Sequence, residues 1–131
     1  MESLSSTQRE IVLHTLQQIR DALFNLMEWN REVGCMDLLM ATPGGMQKLA
    51  GNCMLIQAVG EGFKQIDRRT NGLLLPLRPE IPWRQVIGMR DRISHGYFEI
   101  DTEYVDDFIF NDAPPILEAT DFFIQTLTAE A

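Results

Sequence analysis

Apolar residues recur at three- and four-residue steps from the first part of the chain. Val12, Leu16, Ile19, Leu23 and Leu26 form one stripe, the pattern of a helix with a single buried face. Thr7-Gln8-Arg9-Glu10 is a capping box, which predicts Thr7 as the cap of a helix over residues 8–29. Asn30 to Gly34 interrupts the stripe, and Met36 to Ala41 has room for one short turn. Thr42-Pro43 is a second start signal, a cap residue followed by proline at the first helical position. Met46, Leu49, Cys53, Ile56, Gly60 and Phe63 then continue the helical steps. This second helix is predicted to end near Thr70, with Asn71-Gly72 as a left-handed stop. Gly60 and Gly62 each lower helix propensity by roughly 1 kcal/mol. Keeping both implies either the close approach of another helix or a local kink.

Leu73 to Pro82 holds three prolines and reads as an apolar loop that packs against something. A third helix is predicted from Pro82-Trp83, with Val86, Ile87, Met89 or Arg90, and Ile93 available to the core and Gly96 as its end. His95 then falls in its last turn, where the helix dipole favours a charged imidazole. Asp101 is predicted to cap a fourth helix carrying Tyr104, Val105, Phe108 and Ile109. Asp112-Ala113-Pro114-Pro115 is predicted to restart a fifth. No segment alternates with the two-residue period of a strand. The fold class that follows is an all-α helical bundle of four to five helices, as one domain over residues 1–131.

Composition narrows the function. The formal net charge is −8, which argues against a general nucleic-acid binder. The charge is unevenly spread, however. Seven of the 11 basic residues (Lys64, Arg68, Arg69, Arg78, Arg84, Arg90, Arg92) lie between positions 64 and 92, against only Asp67, Glu80 and Asp91. After Arg92 there is no Lys or Arg, and Glu99, Asp101, Glu103, Asp106, Asp107, Asp112, Glu118, Asp121 and Glu130 follow. This split reads either as solvated helix faces or as an anion site in the middle with a basic partner at the tail. No apolar run is long enough to cross a membrane and the start lacks a signal-peptide pattern, so a cytoplasmic location is expected. Cys35 and Cys53 lack the spacing of a zinc site and read as buried free thiols. No metal site and no cofactor are expected.

The chemistry concentrates in Arg90-Asp91-Arg92-Ile93-Ser94-His95-Gly96-Tyr97. There are only two histidines, and His14 reads as a packing or surface residue of the first helix. Asp91 and His95 are four apart on the predicted third helix and so neighbours on one face, where Asp91 can orient the imidazole. Arg90 lies about 140° around the axis from His95, and long side chains from adjacent faces can converge on one phosphate. Arg90 would then hold a phosphate, and His95 would take a proton from a ribose 2′-hydroxyl or give one to the leaving oxygen. Arg92 and Arg84 are candidate phosphate contacts. The same pattern also occurs as an ordinary ion-paired surface.

Arg90-Asp91-x-x-x-His95, extended to Tyr97, resembles the signature of HEPN domains in their HepT-like branch. Ile81 to Met89 before it, Tyr97 to Asp101 after it and Val59-Gly60-Glu61-Gly62 on the second helix are similar to the same family. The resemblance covers about residues 45–125. Two positions depart: Asp106 stands where tryptophan is common, and Gly62 where alanine is usual. The resemblance implies a HEPN-type up-and-down bundle and a homodimer whose two motifs face each other. It implies a metal-independent endoribonuclease toxin, paired with a nucleotidyltransferase antitoxin. It gives catalysis to Arg90 and His95 with support from Asp91, and makes Tyr97 a site of AMP transfer. The alternative is a non-catalytic HEPN module that binds a nucleotide or a nucleotidyltransferase partner.

Overall fold

The computed structural model describes residues 4–93, 95–96 and 98–130. Its regular elements are all helical. They are α1 (Ser6–Trp29), α2 (Pro43–Arg69), α3 (Trp83–Ile87), α4 (Arg90–Ile93), α5 (Thr102–Asp107) and α6 (Ala113–Ala129). Short 3₁₀ turns lie at Met36–Ala41 and Leu75–Leu77, and a π-helical turn at Phe108–Asp112 joins α5 to α6.

The long helices pack as their stripes require. Gln8 meets Arg69 and Asn30 meets Asn52, so α1 and α2 run antiparallel. Arg20 pairs with Asp121, and Arg9 lies 4.0 Å from Glu130, so α1 and α6 also run antiparallel. Helix α1 thus packs on both α2 and α6. The whole predicted stripe of α1 is buried, as are Leu49, Cys53, Ile56 and Phe63 of α2. Burial of these side chains supplies the main stabilising term, about 1.5–3 kcal/mol for each large apolar side chain. No helix among the described residues is long and apolar enough to cross a membrane.

Boundaries differ from expectation in three places. The cap of α1 is Ser5, not Thr7: its Oγ accepts from the Gln8 backbone N–H at 3.1 Å. Ser5-x-x-Gln8 is a capping box in its own right, two residues before the one singled out. Three consecutive hydroxyl residues offer the same local signal, and Leu4 packing against the core selects the earlier one.

The third helix is two pieces. Helix α3 ends at Ile87, Gly88 takes bridge-region dihedrals (φ −89°, ψ 9°) and α4 is a single turn from Arg90 to Ile93. His95 therefore lies beyond the helix, not in its last turn, and a four-residue turn supplies little dipole.

The last helix begins at Ala113, as Asp112-Ala113-Pro114-Pro115 predicts, but the chain passes into it from α5 without a break, and the Asp112 side chain makes no cap. Pro114 and Pro115 lack N–H groups, and their rings crowd the carbonyls one turn earlier. The turn before them widens instead, with the Ala113 N–H donating to the Phe108 carbonyl five residues back.

The other boundaries match. Thr42 Oγ1 caps α2 by accepting from the Gly45 N–H at 3.0 Å. Asn71 and Gly72 stop it with φ of 54° and 73°. Asp101 Oδ1 caps α5 by accepting from the Tyr104 N–H at 3.0 Å.

Candidate active site

The motif segment is held in place from underneath. Trp83, the first residue of α3, wedges between α2 and α6, with its ring 4.8 Å from Phe63 and 5.7 Å from Phe123. Its indole N–H donates to the Arg78 carbonyl at 3.0 Å. Arg78 in turn binds Glu80 and Glu118 and lies over the Phe122 ring, which ties the proline-rich loop to α6. The hydrogen bond from Arg78 first, and a backbone hydrogen bond second, hold the Glu80 carboxyl below its usual range. Val86, Met89 and Ile93 are buried. Their spacing carries one apolar face across the break at Gly88 and turns Arg90 and Asp91 outward.

Beyond α4 the chain folds into a small closed loop. The His95 N–H donates to the Glu99 carbonyl at 3.1 Å, and the Glu99 N–H donates back to the Gly96 carbonyl at 3.2 Å. The Asp101 N–H donates to the Ile93 carbonyl at 2.7 Å, which closes the base. Gly96 has φ 124°, a conformation that glycine alone adopts at little cost. The backbone that carries His95 is thus pinned while its side chain is exposed.

Arg90, Asp91, Arg84 and His95 are all exposed. Among the described residues none of them has an ion pair or a side-chain hydrogen bond. The expected helical neighbour relation of Asp91 and His95 does not hold, because His95 lies outside the helix and its N–H donates to the Glu99 carbonyl. Arg84 lies one element away, on α3 beside Leu75 and Pro76. Arg92 leaves this face: its guanidinium sits 5.0 Å from the centre of the Tyr104 ring. Tyr97 falls outside the described residues, and so does Ser94.

The rest of the charge pattern resolves largely into internal contacts. Of the basic middle, Arg78 and Arg69 are engaged within the chain. Of the acidic tail, Asp101 is a cap, Asp121 and Glu118 pair with arginines and Glu130 lies near Arg9. Asp106 accepts from the Met36 N–H at 2.8 Å. The position that departs from the resembled pattern therefore anchors the 3₁₀ turn to α5. No group of three or more His, Cys, Asp or Glu able to hold a metal occurs among the described residues.

The sequence reading missed Tyr104 as a partner of Arg92. No spacing links positions twelve residues apart across a loop, so no local signal was there to find.

The family model "Ribonuclease HepT-like" matches residues 46–122, more than half of the chain. A Thermococcus cleftensis protein named "Probable ribonuclease HepT" is 28% identical over 101 residues, covering 77% of this chain and 84% of that protein. A Methanocaldococcus jannaschii protein named "Putative RNase MJ0127" is 24% identical over 75 residues, covering 57% of this chain and 59% of that protein. No solved structure matches the chain.

Proposed function

We propose a function on one premise: this chain belongs to the HepT-like ribonuclease family, whose model spans the motif. It is an endoribonuclease that cleaves RNA without a metal, and the toxin of a toxin–antitoxin pair. It works in the cytoplasm as a homodimer, each chain a single HEPN-type domain over residues 1–131.

The observation that carries this reading is the state of Arg90 and His95. Both are exposed, and neither has an ion pair or side-chain hydrogen bond among the described residues; Arg90 opens the turn of α4, and the backbone of His95 is held by the Glu99 and Gly96 bonds. An arginine whose guanidinium is not spent on an internal ion pair can bind a phosphate, and an imidazole on a held backbone can be kept in reach of a proton. Arg90 holds the scissile phosphate and stabilises the charge that develops on its oxygens. His95 takes the proton of a ribose 2′-hydroxyl. The 2′-oxygen bonds to phosphorus and the bond to the 5′-oxygen breaks, leaving a 2′,3′-cyclic phosphate. The 5′-oxygen takes up a proton as it leaves.

Asp91 supports the pair, a role that rests on the motif rather than on a bond to His95. Arg84 and Arg92 contribute positive potential toward the RNA. A second copy would enclose a site that is open on one chain and pool two basic segments. The antitoxin is a nucleotidyltransferase that places AMP on Tyr97.

The test is cleavage of single-stranded RNA in EDTA by the purified protein and by His95→Ala. The wild type is expected to cut and the variant not; cleavage that survives in the variant overturns the assignment. For Tyr97, mass spectrometry after incubation with the partner transferase and ATP is expected to show one or more added AMP groups. A neutralised complex with unmodified Tyr97 would rule out the covalent route.

A further inference from the structure

Arg92 points to a second feature. A cavity of about 360 Å³ opens between α3, α4, α5 and the start of α6. Its floor is apolar, with Val86, Met89 and Phe108 buried beneath it. Its polar lining includes Arg92, Tyr104, Asp107 and Asp112. Arg92 and Tyr104 line it together, with the guanidinium over the Tyr104 ring at 5.0 Å from its centre. The volume is at the low end of small-ligand pockets, the size for one flat ring system rather than an extended chain.

Glu80, which is bound to Arg78, lines the cavity too, but Asp107 and Asp112 share it because of the π-helical turn. In an α-helix, residues five apart point about 140° away from each other. The i to i+5 turn over Phe108–Asp112 brings Asp107 and Asp112 toward one side. Their proximity shows in the Asp112 carboxyl, which burial first and the Asp107 charge second push above its usual range. Asn111 donates to Asp107 Oδ1 at 2.9 Å and fixes that carboxylate. Acceptors held together over an apolar floor favour a ligand edge made of N–H donors. They disfavour a phosphate. A guanidinium and a phenol ring in the lining favour an aromatic ring over an alkyl amine, which needs no stacking partner.

We propose that this cavity is a nucleobase subsite, taking an unpaired base with an amino-imino edge, guanine before the others. Asp112, with Asp107, accepts from the ring N–H and the exocyclic amine. Arg92 and Tyr104 meet the face of the base. As an RNA subsite it rests on the ribonuclease reading. Arg90 and Arg92 lie about 200° apart on the single turn of α4. A phosphate held at Arg90 thus leaves a neighbouring base to reach round the turn into the cavity.

Two measurements test it. The first uses the His95→Ala protein, which removes cleavage, titrated with guanosine and uridine 5′-monophosphates by NMR. Guanosine monophosphate is expected to bind at least tenfold tighter than the uridine compound, and to shift the amides of Tyr104 and residues 107–112. Asp112→Asn is expected to erase that ratio while its melting midpoint stays with the parent. The second maps cuts in a randomised single-stranded RNA. The wild type is expected to enrich guanine at one fixed position from the cut. Asp112→Asn is expected to cut still, with that preference reduced on the order of ten- to hundredfold, the range of a good bidentate base contact. Equal binding of the two nucleotides, or an enrichment unchanged by Asp112→Asn, overturns the proposal. If the wild type cuts no RNA, the ribonuclease reading falls, and the nucleotide ratio alone decides the cavity.

Discussion

A β-carbon added at Gly60 would stand 2.9 Å from the Val86 carbonyl oxygen, so α2 and α3 approach as closely as two backbones allow. This is the close approach that the two glycines of α2 implied, and that helix is continuous over Pro43–Arg69. It matters for the site because α3 leads directly into the turn that carries Arg90.

Gly60→Ala and Gly62→Ala are therefore expected to behave differently. At position 60 the obstacle is a backbone oxygen, which moves only if α3 moves. Overpacking of that kind costs about 1–3 kcal/mol, against a gain of roughly 1 kcal/mol in helix propensity. At position 62 the obstacle is the Ile19 side chain, at 2.7 Å from its Cδ1, which can swing aside. Urea unfolding is expected to show a loss for Gly60→Ala and a near-neutral result for Gly62→Ala. Equal stability of both variants would remove the contact from the account of how α3 is placed.

Asn30 and Asn52 form a closed pair in the core. Asn30 Nδ2 donates to Asn52 Oδ1 at 3.0 Å, and Asn52 Nδ2 donates back to Asn30 Oδ1 at 2.8 Å. Both are fully buried. In Asn52→Leu the Asn30 Nδ2 keeps the Leu26 carbonyl at 2.7 Å, but Asn30 Oδ1 loses its donor, which costs about 1–3 kcal/mol for a stranded buried group. Adding Asn30→Leu is expected to cost less than a second independent loss. A double-mutant cycle checks this, and strict additivity would show that the pair does not act as a unit.

Arg90→Lys keeps the charge and loses the planar fork. Single-turnover cleavage is expected to fall by about a hundredfold, the scale of losing one well-placed donor to a developing oxyanion. Because Arg90 is exposed, stability is expected to change by less than ~0.5 kcal/mol. A lysine variant as active as wild type would reduce Arg90 to a source of positive potential.

The two thiols are expected to react at different rates. Burial pushes the Cys53 thiol up to about 11 from an ordinary value of 9.0. Cys35 is half-exposed. At pH 8 an alkylating reagent is expected to label Cys35 first and Cys53 only on unfolding, since the thiolate is the nucleophile. The raised value also means that the folded state holds this proton longer than the unfolded chain. Its stabilising effect is complete below about pH 9 and falls as pH rises toward 11. Prompt labelling of Cys53 in the native protein would contradict its burial.

Much of this molecule was legible in the order of its residues. The stripes of α1 and α2, the cap at Thr42, the stop at Asn71-Gly72 and the cap at Asp101 all rest on local chemistry. Local chemistry is present in the sequence in full: a helix face depends on spacing, and a cap depends on one side chain and the next turn. The motif from Arg90 to Tyr97 was visible for the same reason, as a run of scarce residue types. What spacing left open was decided by packing at a distance. Ser5 rather than Thr7 caps α1 because Leu4 has a core to join. Helix α3 stops at Gly88 and α4 is a single turn because Met89 and Ile93 must reach the interior beside α2. That break takes His95 off the helix and away from the neighbour relation with Asp91. The π-helical turn exists because two prolines crowd the carbonyls one turn back, and it alone sets Asp107 and Asp112 toward one side. The sequence determines which faces are apolar and which residues can do chemistry. The tertiary structure determines where each helix ends, because an end is fixed by what the flanking residues find to pack against.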